Sequence, residues 1–149
     1  MTSLYPYLSF ENTKEALQYY EEVFGATDVL RLPLGEEQAS QFGIDPEKAS
    51  EATMHSEFSV ANVQLFASDS FSGNDKINSA ISLMLNYDIN NKTDEKEIQD
   101  LYDRVKDHPS ITVEMPFEAQ LWGGKMGVLK DQYGVRWMLH GEDMTQRQQ

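Results

Sequence analysis

The chain has 149 residues, no cysteine and a net charge of −13. Disulfides, thiolate nucleophiles and cysteine-held metals are therefore excluded. With no run of basic residues to offset the acids, binding to nucleic-acid phosphates is not expected. Apolar residues make up 40% of the chain, enough to bury a core, yet the apolar runs are too short to span a membrane. The N-terminus, Met-Thr-Ser-Leu-Tyr-Pro, lacks the basic-then-apolar order of a secretory signal, so a cytoplasmic location is expected.

Residues 4–10 read as a strand, and a helix follows over about 13–24. In that helix Leu17, Tyr20, Val23 and Phe24 share one face, with Ala16 beside them. Asn12 or Thr13 can cap its start, and Gly25 suits the position after its end. Residues 28–33, 53–60 and 63–67 are three further strand candidates. The acidic, polar stretch 35–50 interrupts them and reads as an inserted, mobile loop.

The pattern then repeats. Residues 80–87 read as a strand and 94–107 as a helix with Ile98, Leu101, Tyr102 and Val105 on one face. Thr93 or Asp94 is its expected cap, and Pro109 stops it. Strand candidates follow at 112–117, 125–130 and 135–140. The last two form a hairpin, because Asp131 to Gly134 supplies turn chemistry. The order is βαβββ twice, a repeat of pattern and not of letters. The boundaries expected are a first module at 1–70, a linker rich in Gly, Ser and Asn at 71–78, a second module at 79–141 and a frayed tail at 142–149.

Four segments together resemble one superfamily. They are Tyr5-Pro-Tyr-Leu-Ser-Phe10, Ala16-Leu-Gln-Tyr-Tyr-Glu-Glu-Val-Phe-Gly25, Met54-His-Ser-Glu-Phe58, and Trp122-Gly-Gly-Lys-Met-Gly127 running on to Asp131 and Gly134-Val-Arg-Trp137. The chain resembles the vicinal oxygen chelate superfamily of glyoxalases, bleomycin-resistance proteins and extradiol dioxygenases, and within it the PhnB-like, demethylubiquinone-methyltransferase-like branch. The resemblance implies an α+β fold of two βαβββ modules, with curled mixed sheets around a cleft, helices on the outer face, and a homodimer.

Metal-dependent members take His, Glu or Gln ligands from the first and last strand of each module. Carried over, those positions fall on Tyr5, on Leu65 or Phe66, on Ile81 or Ser82, and on Met138. None is a usual ligand, so no metal and no other cofactor is expected. His55 and Glu57 lie two apart on one strand face, but a catalytic metal normally has three protein ligands. His108, at a helix end, and His140, closing the last strand, read as structural or solvent-facing.

Alternation assigns the faces. Leu4, Leu8 and Phe10, then Met54, Phe58 and Val60, then Trp137 and Leu139 make the apolar set expected to meet the helices. The mixed set would line the cleft: Tyr5, Tyr7, His55, Glu57, Phe66, Arg136 and Met138, with Trp122 on a glycine-flanked loop above it. Three functions compete. The first is a binding protein for a small aromatic or amphipathic molecule, without metal or turnover. The second is a lyase, isomerase or dioxygenase using a metal held around His55 and Glu57. The third is a dimeric interaction module with no ligand. No phosphate loop or nucleophile elbow marks another chemistry.

Overall fold

The computed structural model describes residues 1–148. Its contacts divide the chain between Lys76 and Ile77 into two compact units. Each unit holds a four-stranded, open, mixed sheet with a helix packed on one face, so the fold is α+β with two βαβββ modules.

The first module runs β1 (Tyr7–Phe10), α1 (Thr13–Phe24), β2 (Thr27–Pro33), α2 (Glu36–Gln41), a 3-10 helix (Pro46–Glu51), β3 (Thr53–Val60) and β4 (Val63–Asp69). The sheet order is β1-β4-β3-β2, with β1 parallel to β4 and the other pairs antiparallel. Helix α1 starts where the Asn12 side chain accepts from the Glu15 amide and ends at Gly25 with φ 69°. Its buried face carries Ala16, Leu17, Tyr20, Val23 and Phe24. Tyr20 stacks on Phe58 of β3 with ring centroids 5.2 Å apart, and Phe10, Val60, Leu65 and Ala67 complete the core. Asp69 ties the layers together, since one carboxylate oxygen accepts from the Thr13 amide at 2.9 Å and the other from the Thr53 amide at 3.1 Å.

The second module runs β5 (Ser82–Asp88), α3 (Lys92–Val105), β6 (Thr112–Ala119), β7 (Lys125–Lys130), β8 (Arg136–Glu142) and a 3-10 helix (Met144–Gln148). Its sheet order is β5-β8-β7-β6, with β5 parallel to β8. Ile98, Leu101 and Val105 of α3 are buried, as are Leu85, Tyr87, Leu129, Trp137 and Leu139 of the sheet. No helix among the described residues is long and apolar enough to cross a membrane.

Several expectations need correction. Residues 35–50 are not a bare loop, because α2 and the 3-10 helix bury Leu34, Ala39, Ala49 and Ala52 in a small core with Ile44 and Phe71. These helices are too short to show a helical period, and alanines carry little hydrophobic signal. Asn91, not Thr93 or Asp94, caps α3, accepting from the Asp94 amide at 3.1 Å. Within the tail, Met144–Gln148 form a 3-10 helix, and residue 149 lies outside the described residues. The first strand begins at Tyr7, because Pro6 has no amide to give a ladder, and Leu4 is exposed, not core. Met54 is exposed as well, where a register shift between Leu32 and Pro33 disturbs the β2–β3 pairing.

Candidate functional site

The helix-free face of the first sheet is set by register. Tyr7 pairs with Phe66, Phe66 with Glu57, and Glu57 with Leu30, so one row of side chains crosses all the strands. His55, paired with Leu32, stands one step along the same face. Tyr5 precedes β1, yet its ring lies 4.9 Å from that of Phe66. The Phe66 ring is also 5.3 Å from His55 and edge-on to Tyr7 at 6.2 Å. Five sequence-singled residues thus come together here: Tyr5, Tyr7, His55, Glu57 and Phe66.

Their polar groups form a chain. The Tyr7 hydroxyl and His55 Nδ1 share a hydrogen bond of 3.0 Å. His55 Nε2 lies 3.5 Å from Glu57 Oε1, and Gln64 Nε2 donates to Glu57 Oε2 at 3.3 Å. The roles follow the imidazole tautomer: when Tyr7 donates to Nδ1 the ring proton sits on Nε2, on the Glu57 side, and when Nδ1 carries the proton Tyr7 accepts it. Around this chain Tyr5, Tyr7, Leu30 and Leu32 are each about half exposed, at 46%, 52%, 49% and 48%. The face is therefore a broad apolar and aromatic surface with a short polar relay in its middle. Leu30, Leu32 and Gln64 were not singled out from the sequence. Alternation along β2 is hidden there, since Asp28 takes a positive φ of 53° and the pairing with β3 shifts between Thr27 and Leu30.

The second module presents Arg136, Met138 and His140 on the half-buried face of β8, while Trp137, Leu139 and Gly141 face the core. Arg136 is committed to a fork on Glu114, donating from Nε at 2.8 Å and from Nη2 at 3.1 Å, and its Nη1 donates to the Ser79 carbonyl at 2.9 Å. The hydrogen bonds from Arg136 hold the Glu114 carboxyl below its ordinary range. Met138 pairs with Met84 and Val128, making an apolar strip. Trp122 lies on the β6–β7 loop, exposed, with its ring 5.4 Å from that of His140. His140 Nδ1 donates to Asn86 Oδ1 at 2.7 Å. His108, beyond the end of α3, shares a 2.8 Å hydrogen bond with the Ser110 hydroxyl.

The positions implied for a metal do not make a ligand set. Leu65 is buried against the core, Ile81 is exposed ahead of β5, and Ser82 pairs with Arg136. Among the described residues, no three His, Asp or Glu side chains gather as a cation would need. His55 and Glu57 approach one another, and both already have partners.

The sequence profile of the family described as 3-demethylubiquinone-9 3-methyltransferase matches residues 2–140. The chain belongs to this family. It is a PhnB-like member of the vicinal oxygen chelate superfamily. Solved relatives include protein PA1353 from Pseudomonas aeruginosa, 28% identical, covering 95% of this chain and 98% of its own, with a TM-score of 0.61. The PhnB protein from Bacillus cereus is 21% identical over 95% of this chain and 100% of its own, TM-score 0.59. The fosfomycin resistance protein FosX from Listeria monocytogenes, complexed with Mn(II) and sulfate, is 14% identical over 100% of this chain and 99% of its own, TM-score 0.57. The last two likenesses establish the fold alone. No curated protein matches the chain.

Proposed function

We propose that the protein binds a small aromatic or amphipathic molecule on the helix-free face of its first module, with no metal and no turnover. The observation that carries this reading is the group of half-exposed rings and leucines around the Tyr7–His55–Glu57 relay. Apolar surface of this kind gains free energy by leaving water, at about 25 cal/mol per Å². A few placed polar groups amid apolar walls give a ligand its orientation. Tyr5, Tyr7 and Phe66 supply rings for stacking. The Tyr7 hydroxyl and the Glu57 carboxylate supply the polar contacts. Arg136, Met138 and Trp122 belong to the second module, and Arg136 has its donors engaged by Glu114 and Ser79. The family description names a methyltransferase, but no glycine-rich turn follows β1 or β5: Glu11-Asn12 and Ile89-Asn90-Asn91 stand at those places.

A second reading is a metal-dependent lyase, isomerase or dioxygenase. It is favoured by the 3.5 Å approach of His55 and Glu57. The third is a dimeric interaction module that covers the same apolar face with a second copy. A homodimer is compatible with the first reading too.

The test is titration with N-phenyl-1-naphthylamine, a neutral aromatic fluorophore, alongside elemental analysis of the purified protein. Saturable one-site binding, weakened at least about tenfold by Tyr7→Ala, together with substoichiometric metal, is the expected result; tenfold corresponds to about 1.4 kcal/mol. One equivalent of manganese, iron, nickel or zinc, lost in His55→Ala, would overturn the proposal in favour of an enzyme. No fluorophore binding, with a dimer by light scattering that Tyr7→Glu dissociates, would favour the interaction module.

A further inference from the structure

The helix-free face of the second sheet is rich in methionine. Met84, Met138, Val128 and Met115 pair in one row across β5, β8, β7 and β6. Met126, two residues before Val128 on the same side of β7, pairs with His140 of β8. Four of the chain's seven methionines thus stand on one side of one sheet. The core does not account for them, because Leu85, Leu129, Trp137 and Leu139 fill it from the opposite side.

His140, among these methionines, is held in one orientation. Glu142 accepts from Asn86 Nδ2 at 2.9 Å, which turns Asn86 Oδ1 toward the imidazole, 2.7 Å from Nδ1. An amide oxygen only accepts, so Nδ1 carries the ring proton, and in the neutral ring Nε2 keeps a bare lone pair. The two ring nitrogens point away from one another. Strand β8 lies between β5 and β7, so with Nδ1 turned to Asn86 of β5, Nε2 is turned toward β7, where Met126 stands. Nε2 has no partner among the described residues. A ring that donates one nitrogen to a fixed acceptor and keeps the other bare is the usual state of a metal-ligating histidine. The Trp122 indole lies beside the ring, with centroids 5.4 Å apart. A cavity of about 400 Å³, lined by His140, Trp122 and Ile89 among others, leads from solvent to the imidazole.

We propose that His140 Nε2 and the thioethers of Met126 and Met138 form a binding site for copper(I). Met126 is the cross-strand partner of His140, and Met138 lies two residues before it on the same face. Opposite residues in a sheet hold their Cβ atoms about 4.5–5.5 Å apart, and same-face neighbours along a strand are about 7 Å apart. Methionine is unbranched with three rotatable bonds, so both sulfurs can reach a point shared with Nε2. Thioethers are soft donors that select copper(I), and imidazole suits copper as well, whereas magnesium, calcium and manganese call for oxygen ligands. The net charge of −13 favours the approach of a cation.

The site differs from the one implied for the superfamily's metal. It uses one of those four positions, Met138, and lies wholly within the second module. Thioethers hold copper(II) poorly, so protein purified in air is expected to carry no stoichiometric copper. The site is also separate from the first-module face, and its failure leaves the reading of that face standing.

The experiment is anaerobic titration with copper(I) kept reduced by ascorbate, read by competition with the chromogenic chelator bicinchoninate. The protein is expected to withhold one equivalent from the chelator. Met126→Leu, Met138→Leu and His140→Gln should each weaken that binding about tenfold or more. Leucine conserves volume and apolar character, so both methionine variants should fold normally by circular dichroism. Met115→Leu, on the same face but beyond Val128, should keep the parental affinity, which separates a site from general scavenging by thioethers. No copper(I) withheld from the chelator, parental affinity in any of the three site variants, or a loss in Met115→Leu as large as theirs would overturn the proposal.

Discussion

Asp131 is the residue whose loss the second module should feel most for its size. It is 5% exposed and sits in the turn between β7 and β8. Its Oδ1 accepts from the Tyr133 amide at 2.9 Å and the Val135 amide at 3.1 Å, and its Oδ2 accepts from Trp137 Nε1 at 3.0 Å. Val135 and Trp137 are 3% and 1% exposed, so water cannot easily replace the carboxylate at either donor. The Tyr133 amide is nearer solvent and should recover a partner. Asp131→Ala therefore strips the acceptor from two buried donors. At about 1.5–3 kcal/mol for each hydrogen bond to a charged group, the expected loss is about 3–6 kcal/mol. That is a large part of the about 5–15 kcal/mol that holds an ordinary domain together. Asp131→Asn can keep the turn bonds while placing an amide nitrogen against the indole, and should cost about 1.5–3 kcal/mol. The assay is urea unfolding followed by circular dichroism, reading the midpoint shift at unchanged slope. An Asp131→Ala protein within about 1 kcal/mol of the parent would refute the reasoning, since the orphaned donors would then have found other partners.

The first sheet offers a test of its two faces. Phe58→Ala, which empties a fully buried site stacked on Tyr20, should cost about 3–5 kcal/mol. Tyr5→Ala on the open face should cost well under half of that by the same measurement, because Tyr5 is already 46% exposed. Gly127→Ala should destabilise by about 1–3 kcal/mol, because its Cβ would lie 2.8 Å from the Phe117 Cα, a backbone atom that cannot swing aside. The Arg136–Glu114 pair should make stability depend on acid pH. The Arg136 guanidinium holds the folded carboxyl below its ordinary range, so its contribution is present above the unfolded value and disappears as pH falls through the lowered folded one. Arg136→Gln should flatten the stability profile in that window, as thermal melts across the acid range would record.

Periodicity and turn chemistry made α1 and the β7–β8 hairpin legible, because a 3.6-residue stripe and a two-residue alternation are properties of the chain alone. The caps of α1 followed the same logic: Asn12, one of two candidates, and Gly25 were readable, since their chemistry acts within one turn. Strand alternation also put His55 and Glu57 on one face before any fold was known. What the chain alone did not disclose depends on pairing. That Tyr7 meets His55, 48 positions away, follows from β1 joining β4 in parallel while β4 pairs antiparallel with β3. The same register brings Leu30 and Leu32 to that face through a strand whose bulge erases its alternation. The cavity beside Trp122 is likewise tertiary, because it needs the turn at Gly123 and Gly124, the end of β8 and Ile89 beyond β5 to converge. Local sequence sets which way a side chain points along its own strand. Only hydrogen-bond register between distant strands decides what stands beside it, and chemistry depends on those neighbours.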